Sequence, residues 1–305
     1  MRVEDELSQF VPEKGTILTI GVFDGIHLGH QWLIDYLKRQ ALVRDLLGGV
    51  VTFHTHPQRV LSPQTPLPYL TPLEERLKLL QGLGVDFIVP LSFTPELSRL
   101  SARHFVELLQ KELKMRGLVI GSDFALGRER EGDALFLHSL GKEAGFTVEV
   151  VPPKIVGGEV VSSTAIREAL ASGNMHKVER FLGRPFSLSG KVVYGAERGR
   201  QLGFPTANLS VNSDQLLPKD GVYVTRAYLG NSPYPSVTNI GFRPTFGESQ
   251  QTVEAYLLDF QGELYSQELK IELIEQLRGE KRFSSAEELS EQIKRDVERA
   301  REILS

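Results

Sequence analysis

Cysteine is absent from this chain of 305 residues, tryptophan occurs once and methionine three times. Without cysteine there are no disulfides, no thiolate metal sites and no cysteine nucleophile. Long apolar runs are also missing: none approaches the roughly 18 residues that would suggest a membrane span. The first ten residues, MRVEDELSQF, are acidic and carry no apolar core, so they do not read as a signal peptide. Positive charge is not in excess either. Lys and Arg number 35 against 39 Asp and Glu, a net charge of −4, and no basic tract marks a nucleic-acid partner. These absences predict a cytoplasmic protein with no nucleic-acid and no membrane partner.

What is present is enough to build cores, since 41% of the residues are hydrophobic and 24% charged. The length exceeds that of one ordinary domain, so two are expected. Up to about residue 183, short apolar runs alternate with helical patterns. Strands are expected at 17–23, 49–53, 85–91, 117–121 and 147–151, with helices at 31–43, 72–82, 101–115, 134–144 and 164–171. Thr71-Pro72-Leu73-Glu74 reads as a capping box with proline at the first helical position. This alternation implies a doubly wound parallel sheet with ligands beyond the carboxyl ends of its strands.

From Gly183 the pattern becomes short alternating runs, at 191–194, 222–229, 235–240, 253–260 and 269–277, separated by turn clusters. That predicts a small antiparallel β-barrel. A helix follows Ser285-Ala286-Glu287-Glu288, a second capping box, with Leu289, Ile293, Val297, Ala300 and Leu304 on one face. The expected division is 1–183, an α/β domain, and 184–305, a barrel with a C-terminal helix.

The most informative stretch is Gly21-Val22-Phe23-Asp24-Gly25-Ile26-His27-Leu28-Gly29-His30. It joins an apolar strand to a helix, where backbone N–H groups and the positive helix end meet phosphate. His27 and His30 then place two imidazoles against one phosphate chain. The chemistry expected is nucleotidyl transfer, breaking ATP between its α- and β-phosphates by positioning and electrostatics. Ser162-Ser163-Thr164-Ala165-Ile166-Arg167 is a helix start with an arginine one turn on, suited to the same phosphates. Asp123, after the strand 117–121, has the chemistry to accept from a ribose or a base. The charged run 127–133 beyond it reads as a solvated loop. His54 and His56 alternate after a strand, but no third ligand for a metal is identifiable.

In the second half, the run from Gly195 through Gly199, Gly203, Phe204 and Pro205 to Thr206-Ala207-Asn208 is too glycine-rich and charged for core. Thr206 and Asn208 face one side if extended and offer neutral oxygens to Mg²⁺. A hairpin loop with two ordinary polar residues accounts for them equally well. Glu254 is a lone charge in an apolar strand. It is either an outward-facing carboxylate or the base of a hydroxyl-to-phosphoryl transfer.

In this order, GVFDGIHLGH, SDFALGREREGD, SSTAIR, LGFPTAN, NIGFRPTFG and VEAYLLDF resemble the bifunctional riboflavin kinase/FAD synthetase family of bacteria, over nearly the whole chain. The histidine run alone is shared with other nucleotidyltransferases, whereas LGFPTAN followed by GFRPTFG is specific to the kinase. The resemblance implies two linked reactions using ATP and Mg²⁺: riboflavin is phosphorylated to FMN, and FMN is then adenylylated to FAD with release of pyrophosphate. It implies that His27 and His30 steady the ATP phosphates of the second reaction, with Gly21, Phe23, Asp24, Gly25 and Gly29 forming the nucleotide turn. Asp123 would lie by the nucleotide, and Ser163, Thr164 and Arg167 would complete the phosphate site. In the kinase, Thr206 and Asn208 would hold Mg²⁺–ATP beside Gly195, Gly199, Gly203 and Pro205, and Glu254 would be the catalytic base. Arg243 and Arg278 would shape the flavin pocket. The partners implied are small molecules only, with the chain a monomer or weak oligomer.

The chain departs from the family at Ala125 and Leu126, where a basic residue and an aromatic are common, and at Thr55, where proline is usual. These departures keep an alternative in view, a monofunctional riboflavin kinase whose N-terminal domain is a regulatory or weakly active nucleotide-binding module. A flavin-sensing regulator of nucleic acid is disfavoured by the acidic charge.

Overall fold

A computed structural model describes residues 2–64, 67–195, 199, 202–242 and 251–305. Packing divides the chain into two compact units, 1–162 and 163–305.

The first unit contains β1 (Thr16–Ile20), β2 (Leu47–Phe53), β3 (Phe87–Leu91), β4 (Met115–Gly121) and β5 (Thr147–Val151). They form one sheet in the order β3-β2-β1-β4-β5, and every neighbouring pair is parallel. Helices α1 (Val3–Leu7), α2 (Leu28–Val43), α3 (Pro57–Leu61), α4 (Leu73–Gly82), α5 (Pro95–Ser98), α6 (Ala102–Glu112) and α7 (Ala134–Ala144) connect them. Strand alternation sends successive side chains of β1 to opposite faces. Ile17 packs with Ile34 and Leu37 of α2 and Leu80 of α4. Leu18 and Ile20 pack with Phe105 and Leu109 of α6 and Leu137 of α7. Each such wholly buried Leu or Ile contributes about 1.5–3 kcal/mol by leaving water. Both faces are covered, so the sheet is doubly wound as expected.

Boundaries differ where backbone geometry overrides apolar pattern. The first strand ends at Ile20 rather than at residue 23, because Phe23 adopts φ 55°. Helix α4 starts at Leu73 with Pro72 at the cap position, and no side chain caps it. The Thr71 N–H goes instead to Asp24. The expected helix at 101–115 ends at Glu112, where β4 begins three residues later. A short hairpin of β6 (Ile155–Val156) and β7 (Glu159–Val160) follows β5. At the sheet's edge, β3 carries Pro90 opposite Thr52. The His54 N–H donates to Leu91 O, so Leu91 turns its polar groups to the β2 side and Pro90 turns its own away.

In the second unit, α8 (Ser163–Ser172) and α9 (Met175–Leu182) precede a closed antiparallel barrel. Its strands are β8 (Phe186–Val193), β9 (Ala207–Val211), β10 (Gly221–Leu229), β11 (Ser232–Phe242), β12 (Gln251–Leu257) and β13 (Glu268–Arg278), in the order β10-β11-β12-β9-β8-β13. The two helices pack on this barrel: the Lys219 N–H donates to Leu170 O at 2.9 Å, and a Cβ on Gly173 would overlap the Gln276 amide. The compact units therefore divide at Ser162, ahead of the expected boundary at 183. Inside the barrel, buried Thr225 bonds Ser236 and Thr238 at 2.7 and 2.8 Å, so the hydroxyls satisfy one another.

Helix α10 (Ala286–Leu304) is capped by Ser285, whose Oγ accepts from the Glu288 N–H at 3.2 Å. The reciprocal bond of the expected box is not made with Ser285: Glu288 takes the Ser284 N–H at 2.9 Å. Val297, Ala300 and Leu304 pack against Val222, Val224 and Val237 on the barrel's outer wall. Leu289 and Ile293 are only half-buried. Among the described residues, no helix is long and apolar enough to cross a membrane.

Candidate active sites

Strand order sets the first site. β1 lies at the centre, with β2 on one side and β4 on the other. The chains leaving β1 and β4 run to opposite sides, which opens the crevice where parallel sheets bind ligands. The chain leaving β1 is the turn 21–27, and the chain leaving β4 is Ser122-Asp123.

The turn is strained and tied down. Phe23 and Ile26 adopt φ 55° and 41°, and Gly25 adopts 88°. Positive φ at a phenylalanine or a β-branched residue costs about 1–3 kcal/mol each and persists only where surroundings enforce it. Here the buried Asp24 carboxylate accepts the Leu70 and Thr71 N–H groups at 3.0 and 3.1 Å. Gln31 Nε2 donates to Ile26 O at 2.9 Å. Gly21 is needed because a Cβ would lie 3.3 Å from the Phe23 ring. Gly29 is needed because a Cβ would lie 3.0 Å from the His27 ring and 3.2 Å from Val161 O.

His27 is the N-cap of α2, and its Nδ1 accepts the His30 N–H at 3.2 Å. In the neutral ring the proton then resides on Nε2, which becomes a donor. The two imidazoles stack with centroids 3.6 Å apart and planes at 16°, and Phe23 meets His30 edge-on at 5.2 Å. Burial, then the fields of His27 and Arg76, hold His30 well below the ordinary imidazole range, so it is uncharged at neutral pH. No acidic residue occupies the first turn of α2. A helix N-terminus flanked by two stacked imidazoles, with His30 uncharged, is suited to a phosphate chain.

Asp123 is exposed after β4, with its backbone carbonyl accepting from Arg130 Nη2 at 2.9 Å. The charged run beyond it is only partly a solvated loop. Arg128, Glu129 and Arg130 are exposed, but Glu131 accepts the Ala102 N–H at 2.8 Å and Asp133 caps α7. Leu126 bonds Gly132 in both directions and packs into the core. His56 Nδ1 caps α3 through the Gln58 N–H. No group of three or more His, Cys, Asp or Glu suited to a metal occurs among the described residues. Ser163 begins α8, Thr164 is exposed and Arg167 is half-buried one turn on, all in the second unit.

The barrel builds the second site on its outer wall. On β12, Val253 and Ala255 are buried in the barrel and Glu254 between them points out. On β9, Ala207 and Leu209 are buried and Asn208 points out. Asn208 is in register with Glu254, so the two side chains share one face at about 5 Å. Gly195 lies against the Asn208 amide so closely that a Cβ would overlap it, and a Cβ on Gly199 would lie 3.3 Å from Thr206 Oγ1. The Phe204 N–H returns to Gly199 O at 2.9 Å, and Gly203 takes φ 83°. Pro205 is exposed between them. Structure thus gathers Gly195, Gly199, Thr206, Asn208 and Glu254. Arg243 lies outside the described residues. Arg278 is engaged elsewhere: its Nε and Nη2 hold the buried Asp296 carboxylate at 2.9–3.2 Å, which braces β13 to α10.

Sequence reasoning did not single out Arg76, Tyr69 or Asp296. Periodicity carried a signal for Arg76, which shares the inner face of α4 with Leu73 and Leu80.

Comparison with known proteins identifies both halves. A FAD synthetase family model matches residues 11–165, and a riboflavin kinase model matches 182–304. The bifunctional riboflavin kinase/FMN adenylyltransferase of Escherichia coli K12 is 41% identical over 298 residues, covering 97% of this chain and 95% of its own. That of Pseudomonas fluorescens is 38% identical over 304 residues, covering 99% and 97%. That of Bacillus subtilis is 35% identical over 290, covering 93% and 91%. A crystal structure titled as a macrolide-efflux protein from Streptococcus pneumoniae superposes with a TM-score of 0.89 at 30% identity, covering 96% of each chain. Both a kinase and an adenylyltransferase are therefore present, and the monofunctional alternative is not supported. The chain belongs to the bifunctional riboflavin kinase/FMN adenylyltransferase family.

Proposed function

We propose that the two activities divide between the two sites described, riboflavin phosphorylation at Glu254 and FMN adenylylation at His27 and His30. The register of Asn208 with Glu254 is the observation that carries the kinase assignment. In that step Glu254 takes the proton of the ribityl 5′-hydroxyl as its oxygen bonds the γ-phosphorus of ATP, and the bond to ADP breaks. Thr206 and Asn208 fit Mg²⁺: both are neutral oxygen donors, and Gly195 and Gly199 let the loop backbone pack closely against their side chains. When bound, Mg²⁺ neutralises charge on the phosphates.

In the second step an FMN phosphate oxygen attacks the α-phosphorus of the second ATP, and pyrophosphate leaves with the α–β bridging oxygen. No protein nucleophile is needed. His27 Nε2–H, His30 and the N-terminus of α2 stabilise charge on the departing phosphates and orient the chain. Asp123 fits a contact to the ribose or base from the facing β4 end. For Ser163, Thr164 and Arg167 the support is the SSTAIR motif itself. The functional boundary follows the family matches, near 165–182. Acting on these small molecules, the protein works in the cytoplasm.

Incubating the purified chain with riboflavin, ATP and Mg²⁺, and resolving flavins over time, tests the assignment. FMN should rise first and FAD follow. His30→Gln should stop the second product alone; loss of both in a folded protein would contradict two separate sites.

A further inference from the structure

Arg76 is 0% exposed and heads the wholly buried side chains by size. It stands on α4 at a core position. Its Nη2 donates to Phe53 O at 2.6 Å, at the carboxyl end of β2. Nε and Nη1, equally buried, donate to no protein acceptor. The guanidinium carbon lies 5.5 Å from the Tyr69 ring centre, and the Tyr69 hydroxyl accepts the His56 N–H at 2.7 Å.

Neither packing nor hydrogen bonding accounts for a cation here. One bond to a carbonyl is all it gains, and burying a charge costs several kcal/mol that a methionine of similar length would not incur. The guanidinium joins α4 to the end of β2 at Phe53 O and lies by Tyr69, the residue before the Leu70 and Thr71 amides that hold Asp24. Its charge also reaches other charged groups. Two lie within its field. Asp24, which ties the turn to the Leu70 and Thr71 amides, helps keep Arg76 charged against its burial. His30 feels Arg76 from α4 and His27 from the turn, and both fields oppose its protonation.

We propose that Arg76 is a positioning residue of the adenylyl-transfer site, a buried guanidinium that ties α4 to the end of β2 beside Tyr69 and so fixes the 69–71 segment whose amides hold Asp24, and with it the turn 21–27, in the geometry that presents stacked His27 and His30 to the ATP phosphates. It does not touch the reacting atoms. The inference rests on the reading of His27 and His30 as phosphate ligands. Its consequence is that the phosphate chain meets two stacked imidazoles of fixed orientation.

The test compares Arg76→Met and Arg76→Lys in the full chain. Adenylylation of FMN, phosphorylation of riboflavin, and the His30 imidazole titration by NMR in ligand-free protein are read together, the last assigned with His30→Gln. Arg76→Met should retain riboflavin phosphorylation, lose about 100-fold in adenylylation kcat with a smaller change in KM for ATP, and move the His30 titration upward. Arg76→Lys should restore both readouts to within about 3-fold of wild type. Unchanged adenylylation in Arg76→Met, or an unmoved His30 titration, would overturn the proposal. If Arg76→Met does not fold, Arg76→Lys decides: near wild-type titration and FAD formation support it, and loss of both overturns it. If instead His30→Gln still forms FAD normally, the phosphate-ligand reading fails, while the His30 titration still judges Arg76.

Discussion

Asn208 and Glu254 stand opposite each other on β9 and β12, each pointing out of the barrel between two buried neighbours. Antiparallel register keeps them together without any loop having to close. The amide proposed to meet Mg²⁺ and the carboxylate proposed as base are thereby held at fixed spacing by paired barrel strands. Glu254→Gln keeps shape and removes the base. It should lower riboflavin phosphorylation by about 10²–10⁴-fold while FMN adenylylation continues. Normal FMN production by this variant would remove Glu254 from the mechanism.

Gly195 is read as making room for Asn208. A Cβ there collides with the amide, so Gly195→Ala must shift the loop or the side chain. The expected result is an increase of about tenfold in KM for ATP in phosphorylation, with adenylylation unaffected. Unaltered ATP dependence would show that the close approach carries no function.

His30 links the first site to acid stability. Its folded value lies below the ordinary 6.5, so between the two values the unfolded chain binds more protons than the folded one. Stability is then complete above about pH 6.5 and falls as pH drops through the window beneath it. Urea midpoints measured from about pH 7.5 to about pH 5.5 should fall more steeply for wild type than for His30→Gln. Parallel slopes would contradict a neutral buried His30.

Asp296 is buried on α10 and grips Arg278 through both oxygens in three bonds, with Gln292 adding a fourth at 2.9 Å. Removing one partner of such a pair leaves a charge without compensation. Asp296→Ala should destabilise the second unit by about 3 kcal/mol, read from denaturant unfolding followed by barrel fluorescence or circular dichroism. A loss below about 0.5 kcal/mol would mean that the brace is a surface pair in energetic terms.

The sequence revealed elements whose signal is local. The strand, turn and helix around residues 16–43 follow from apolar runs, glycines and period, and the barrel strands follow from alternation. Element ends were less legible. Val22 and Phe23 extend an apolar run, yet the positive φ of Phe23 belongs to a turn fixed by Asp24 and amides nearly fifty residues away. β9 escaped because its alternation, Ala207 and Leu209 inward with Asn208 and Ser210 outward, spans only five residues and follows the turn-like Gly203-Phe204-Pro205. α9 carried a cap, Asn174, and an apolar face of Met175, Val178, Phe181 and Leu182 that periodicity could have found. Arg76 and Asp296 were hidden for the opposite reason. A charge on a helix reads as solvent-facing even where its spacing puts it on the apolar face, and tertiary structure shows the partner each meets on another element.

Pro90 on the outer side of β3 bears on how the chain avoids other chains. An edge strand offers a row of free N–H and C=O groups on which a second molecule can add a strand. Proline has no N–H, and its polar side faces outward here, so the row is broken one residue from its end. The barrel, being closed, presents no edge at all. One edge of the sheet is thus blunted by a single ring, and strand addition there would have to proceed around a missing donor.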